Sequence, residues 1–149
     1  MKGISLKNNN VVKIMIILIL FVMAFVACIQ SPQAIGINTG YSGTDSSVFR
    51  TVAMYMDSGM MPYKDIFDHK GPLLYIYNWI GWKISQTNGI WFIELVSMFA
   101  TTFFLYKIAR LFTRRIWSLW AVFAALAPLS VYFQGGNFTE EYAMPIMNP

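Results

Sequence analysis

Val11–Ile29 reads VVKIMIILILFVMAFVACI, a run whose single charge is Lys13. A helix crosses the ~30 Å hydrocarbon core of a bilayer in about 20 apolar residues, so this stretch predicts a membrane span. Lys13 lies near one end, where its aliphatic stem lets the ammonium group reach the headgroups. Lys2, Lys7 and Lys13 precede the apolar core, which predicts a cytoplasmic N-terminus over residues 1–10. A cleaved leader is the rival reading, but Phe25 stands where a small residue is wanted before a cut. Cys28 is the only cysteine, so no internal disulfide can form, and it reads as a small buried or lipid-facing residue.

Two further apolar runs follow, at 90–111 and 116–133. Between them KIARLFTRR carries Lys107, Arg110, Arg114 and Arg115 and no acid. That makes 112–115 a short cytoplasmic loop. Spans at 11–29, 90–111 and 116–133 then leave an outer loop over 30–88 and a second outer segment from 134 to 149. Asp45, Asp57, Asp65, Asp68, Glu140 and Glu141 all fall on the outer side. Trp79, Trp82 and Trp91 mark one interface, and Trp117 and Trp120 the other. Glu94 sits one turn into the second span, close enough to the surface to reach headgroup water. Charged residues make up only 12% of the chain, about half the usual share of a soluble domain. The net charge of +4 forms no basic stripe of the kind nucleic acid requires. The expected localisation is therefore the cell membrane, multi-pass, with the bilayer as partner and no nucleic acid. The chain reads as the N-terminal part of a longer protein.

The 30–88 loop is rich in Tyr, Met, Ile and Phe, which argues for packed structure. Thr44-Asp45-Ser46 offers N-cap chemistry for a helix over about 45–58, with Val48, Phe49, Val52, Tyr55 and Met56 on its apolar face and Gly59 as C-cap. A turn-rich elbow, MMPYKDIFDHKG, comes next. Pro72 suits the first turn of a second helix over 72–84. At 13 residues that helix is short for a span, so both are expected along the membrane surface. Asn137-Phe138-Thr139 matches the N-glycosylation pattern, a match too common by chance to weigh.

Three stretches, in this order, carry a resemblance: GYSGTDSSVF (Gly40–Phe49), PYKDIFDHKGPLL (Pro62–Leu74) and GGNFTEEYAMP (Gly135–Pro145). Together with the spans they resemble GT-C membrane glycosyltransferases of family 39, related to protein O-mannosyltransferases. The chain departs from that pattern in two places. Asp45 is followed by Ser46 rather than by Glu, and His69-Lys70-Gly71-Pro72-Leu73 stands where H-x-P-P-L is frequent. The fold class implied is an all-α membrane protein: the N-terminal part of a GT-C module, with three spanning helices and two interfacial ones.

The resemblance implies transfer of a sugar from a polyprenyl-phosphate donor to a glycan, lipid or protein acceptor at the outer face, by a full-length enzyme of which this chain alone is expected to be inactive. Such a reaction needs a base for the acceptor hydroxyl and positive charge for the departing phosphate. Asp45 is the expected catalytic carboxylate, against a plain N-cap role. Lys64, His69 and Lys70 are the candidate contacts to the donor phosphate, against contacts to anionic headgroups. Asp65 and Asp68 are supporting carboxylates that orient this cluster or pair with Arg50. Glu140 and Glu141 are acceptor or metal candidates, with magnesium or manganese as the candidate cofactor; adjacent acids are also ordinary at a helix start. Two other classes compete: a transporter or ion-binding subunit using Glu94 and the outer acids, and a non-enzymatic membrane assembly protein.

Overall fold

The computed structural model describes residues 2–34, 44–129 and 136–147, with the side chains of 2–9 left aside. Gly40–Gly43 of the first motif, the expected end of the third span at 130–133, and Gly135 lie outside the described residues. The described part is helical: α1 (Lys2–Cys28), α2 (Thr44–Asp57), α3 (Pro72–Ile84), α4 (Gly89–Phe112), α5 (Arg115–Leu126) and α6 (Thr139–Met147). Strand-like pairing among these residues is limited to one bridge, Pro62 with Ile66, in the elbow.

Among the described residues, two helices are long and apolar enough to cross a membrane: Asn10–Cys28 of α1 and all of α4. They pack against each other, and α5 packs on α4 and more lightly on α1. Leu20, Ala24, Cys28, Leu95, Met98, Val122 and Leu126 form their shared core. Polar ties hold the register at one end. Trp91 Nε1 donates to the Cys28 carbonyl at 3.0 Å, joining the end of α1 to the start of α4. The outward faces stay apolar, with Ile14, Leu18 and Val22 of α1 exposed. A helix that is hydrophobic all round needs either a large core or lipid. The third apolar run is described as the shorter helix α5, which gives way to a turn at Ala127-Pro128.

Helices α2 and α3 form a second layer that packs on α4 through α3. The α2 face matches the expected one at Phe49 and Val52, which are buried, and differs beside them: Ser46 and Ala53 are also buried, while Val48 and Tyr55 are exposed. Burial follows the strip that meets α3, where Phe49 stacks edge-on to Tyr75 at 6.4 Å. Gly59 ends α2 at φ +94, and Met60 N–H returns to the Tyr55 carbonyl. Gly71 and Pro72 start α3 as expected. At the other end α3 turns into α4 so tightly that a Cβ on Gly81 would lie 2.6 Å from Ile90 Cα.

Candidate functional site

Where α2, α3, α4 and α6 meet, the apolar core gives way to buried polar side chains. Asn137, with no exposed surface, is the hub. Its side-chain amide donates to Ser46 Oγ and to Asn78 Oδ1, both at 2.9 Å. Its carbonyl oxygen accepts from Asn78 Nδ2 at 3.0 Å and from the Tyr142 hydroxyl at 2.7 Å. The Asn137 backbone N–H points between two carboxylates, Glu141 Oε2 at 2.6 Å and Glu94 Oε1 at 3.2 Å. Ser31 Oγ donates to Glu94 Oε2 at 2.6 Å. Gln33 joins the network through Nε2 to Ser46 Oγ at 2.8 Å, and its Oε1 is buried without a partner. Five segments distant in sequence thus share one hydrogen-bonded cluster.

Local backbone geometry makes this convergence possible. Asn137 adopts φ 64, a left-handed conformation that Asn tolerates better than most residues. Gly136 adopts φ 132, and a Cβ there would collide with the Glu94 carboxylate and lie 3.3 Å from Glu141 Oε1. Only glycine satisfies both demands. Helix α6 then folds back on α4, with Ser97 Oγ donating to the Glu141 carbonyl at 3.0 Å and Tyr142 stacked on Tyr77 at 5.0 Å.

Burial dominates the electrostatics of α6. It pushes the Glu141 carboxyl up from 4.5 to about 7, with Glu140 adding to the rise and the Phe138 and Asn137 N–H groups opposing it. Burial likewise raises the Tyr142 phenol well above its ordinary value, helped by Glu94 and Glu141. Glu94 corrects an expectation. It does not reach headgroup water but is fully buried between Ser31 and Asn137. Its cover is α6, an element a local reading of α4 does not see.

The expected site residues divide into three groups. Glu141 is inside the cluster, while Glu140, next to it in the first turn of α6, is exposed. Successive helical residues point about 100° apart, so the two do not act as one paired ligand. Asp45 is exposed in the first turn of α2, adjacent to the buried Ser46 that ties α2 to Asn137. The elbow residues lie along the other end of α2 and the start of α3. Lys64 is exposed. Asp65 Oδ2 accepts the Met61 N–H at 2.9 Å and closes the turn. His69 pairs with Asp68 at 3.1 Å, its own side chain 80% exposed. Lys70 is half-buried with its ammonium 5.9 Å from the Phe49 ring centre.

Asp68 Oδ2 and the Tyr75 hydroxyl are both buried without a well-aligned hydrogen bond. Their proximity still biases both. Burial raises the Asp68 carboxyl, but Tyr75, the His69 N–H and the neighbouring cations outweigh it and hold it below its usual value. Arg50 does not pair with Asp65 or Asp68. It donates to the Gln86 carbonyl at 2.7 Å and lies 5.5 Å over the Trp82 ring, because α2 runs alongside the end of α3.

A divalent cation does not fit the described residues well. No group of three His, Cys, Asp or Glu side chains comes together among them. Both buried carboxylates are already engaged by hydroxyl and amide donors.

Sequence reasoning passed over Asn137, Asn78, Ser31 and Gln33. The available signals were Glu94, an acid inside a span, and Asn78, an amide in the otherwise apolar PLLYIYNWIGWKI. The family model of the competence-induced Ccs4 N-terminal domain matches residues 2–148. The chain belongs to this family. No curated protein and no solved structure matches it. Membership covers both apolar helices, the elbow and the Asn137 cluster, so all of them are parts of one Ccs4-type domain.

Proposed function

We propose that this domain is the N-terminal part of a GT-C-like membrane glycosyltransferase, which moves a sugar from a polyprenyl-phosphate donor to an acceptor at the outer membrane face. In this reading α1, α4 and the third apolar run beginning at α5 cross the bilayer, α2 and α3 lie along its outer surface, and the α4–α5 turn is cytoplasmic. The observation that carries the reading is the 2.9 Å hydrogen bond from Asn137 Nδ2 to Ser46 Oγ. It joins the first and third stretches of the resemblance, which are separated by 91 positions. A reaction centre assembled from two outer loops needs such a tie.

The division of labour follows from exposure. Asp45 is exposed beside the tie and is available to take a proton from the acceptor hydroxyl. The buried cluster is a rigid floor that holds α2 and α6 in place. Lys64, His69 and Lys70 lie on the elbow, where cations can steady a lipid phosphate. An apolar groove of about 330 Å³ between α1 and α5, lined by Val22, Val26 and Phe123 among others, has the character a polyprenyl chain requires. In the full-length protein, Asp45→Asn is expected to abolish sugar transfer with expression and membrane insertion unchanged. Turnover at the level of the unsubstituted protein would remove Asp45 from the mechanism.

One observation favours a second reading, an ion- or proton-binding membrane subunit. Glu94 and Glu141 share the Asn137 N–H inside a buried site. Proton uptake tied to transport, rather than sugar transfer, would mark that class.

A further inference from the structure

At the end of the α1–α4–α5 layer opposite the polar cluster, three cations line one cleft. Lys13 of α1, Lys107 of α4 and Arg115 of α5 surround a cavity of about 270 Å³, with Ile16, Leu20 and Phe103 on its walls. Phe103 and Lys107 also line a neighbouring cleft of about 260 Å³, with Ile108 and Leu111. A ridge topped by a cation therefore separates two apolar furrows. Charge in this region is one-sided: residues 1–44 and 95–139 contain no Asp or Glu at all. Every acid of the chain lies within 45–94 or at 140–141, and the Glu94 carboxylate is engaged by Ser31 and Asn137.

We propose that this cleft is a binding site for an anionic phospholipid of the leaflet on the α4–α5 side. The headgroup phosphate sits among Lys13, Lys107 and Arg115, and the two acyl chains lie in the two furrows. The chemistry matches at both ends. A phosphate diester takes charge-assisted hydrogen bonds from Lys and Arg, and basic pockets between membrane helices suit anionic headgroups. A free phosphate would leave the apolar walls uncovered, and a zwitterionic lipid would leave the charge of Lys13 and Lys107 unbalanced. The proposal rests on α1 and α4 crossing a bilayer, and it is independent of the sugar-transfer reading.

The test uses the full-length protein in nanodiscs of phosphatidylcholine containing a small fraction of spin-labelled phosphatidylglycerol. The readout is the motionally restricted fraction of the label. Two double variants remove equal charge: Lys13→Gln with Lys107→Gln in the cleft, and Arg110→Gln with Arg114→Gln away from its lining. The unsubstituted protein is expected to restrict phosphatidylglycerol over spin-labelled phosphatidylcholine. The cleft variant should lose about 30-fold in that preference, taking about fivefold per exposed ion pair with the phosphate removed, and the control variant, which makes no such pair, distinctly less. Equal loss in both variants means diffuse surface attraction and overturns the site. So does abolition of the preference by millimolar inorganic phosphate, which would mark a free-anion site. If the variants fail to insert, the lipid preference of the unsubstituted protein decides alone: its absence overturns the proposal. A protein that leaves the membrane without detergent would instead overturn the spanning reading beneath it.

Discussion

Replacing Glu141 by Gln should stabilise the protein at alkaline pH and leave it nearly unchanged at acid pH. Glu141 is only 3% exposed, and burial lifts its carboxyl from 4.5 to about 7. The folded state therefore holds the proton more tightly than the unfolded chain does. Stability is greatest below the unfolded value, falls as pH rises through 4.5 towards 7, and is level above. Once ionised, the carboxylate costs the fold about 3 kcal/mol, and between pH 5 and 8 the loss is about 2–3 kcal/mol. Glutamine keeps an oxygen for the Asn137 and Phe138 N–H groups, which now go to Glu141 Oε2 at 2.6 and 3.2 Å. Its amide nitrogen would take the place of Oε1, which faces Gly136 as the Glu94 carboxylate does. Glu94, Cys28 and Tyr142 face this position and Glu140 neighbours it, so they are kept constant in the comparison. The assay is thermal unfolding in detergent micelles, followed by tryptophan fluorescence from pH 5 to pH 8. The midpoint of the unsubstituted protein should fall relative to the variant by about 4–12 °C across that range. Parallel profiles, or a variant less stable at pH 8, would refute the assignment of a strained carboxylate.

Two glycines give the remaining stability predictions. Gly136→Ala places a methyl group against the Glu94 carboxylate at a positive φ, so it should cost several kcal/mol, about 1–3 for the strain and about as much again for the polar groups left unpaired. Thermal unfolding of the variant checks this, with loss of amide-exchange protection at Asn137 as a local readout. Gly81→Ala puts a Cβ into the Ile90 backbone and should destabilise by about 1–3 kcal/mol or more, lowering the unfolding midpoint without changing the pH profile.

Much of the helical layout was legible locally. Val11–Ile29 and 90–111 read as apolar runs of spanning length; α4 and the Asn10–Cys28 part of α1 follow them closely, while α1 itself begins earlier, at Lys2. Pro72 and Gly59 punctuated the outer loop where α3 begins and α2 ends. The buried face of α2 was half legible: period alone gives Phe49 and Val52, whereas contact with Asn137 selects Ser46 and leaves Val48 and Tyr55 exposed. The polar cluster was hardest to read. It draws on Ser31, Ser46, Asn78, Glu94 and Asn137, no two of which lie nearer than 15 positions apart. Asn137 looked like part of a chance glycosylation pattern. Its role depends on a left-handed turn that brings α6 onto α4, and that turn exists only in the folded chain.

Sugar transfer itself is the most direct test of the functional account. Full-length protein in sealed vesicles would be offered a panel of labelled polyprenyl-phosphate sugars with candidate glycan, lipid and protein acceptors. The account predicts that one donor yields labelled acceptor with stoichiometric release of polyprenyl phosphate, and that Asp45→Asn removes the signal. Folded, membrane-inserted protein that neither transfers nor binds any donor in a panel spanning hexoses and pentoses would contradict it.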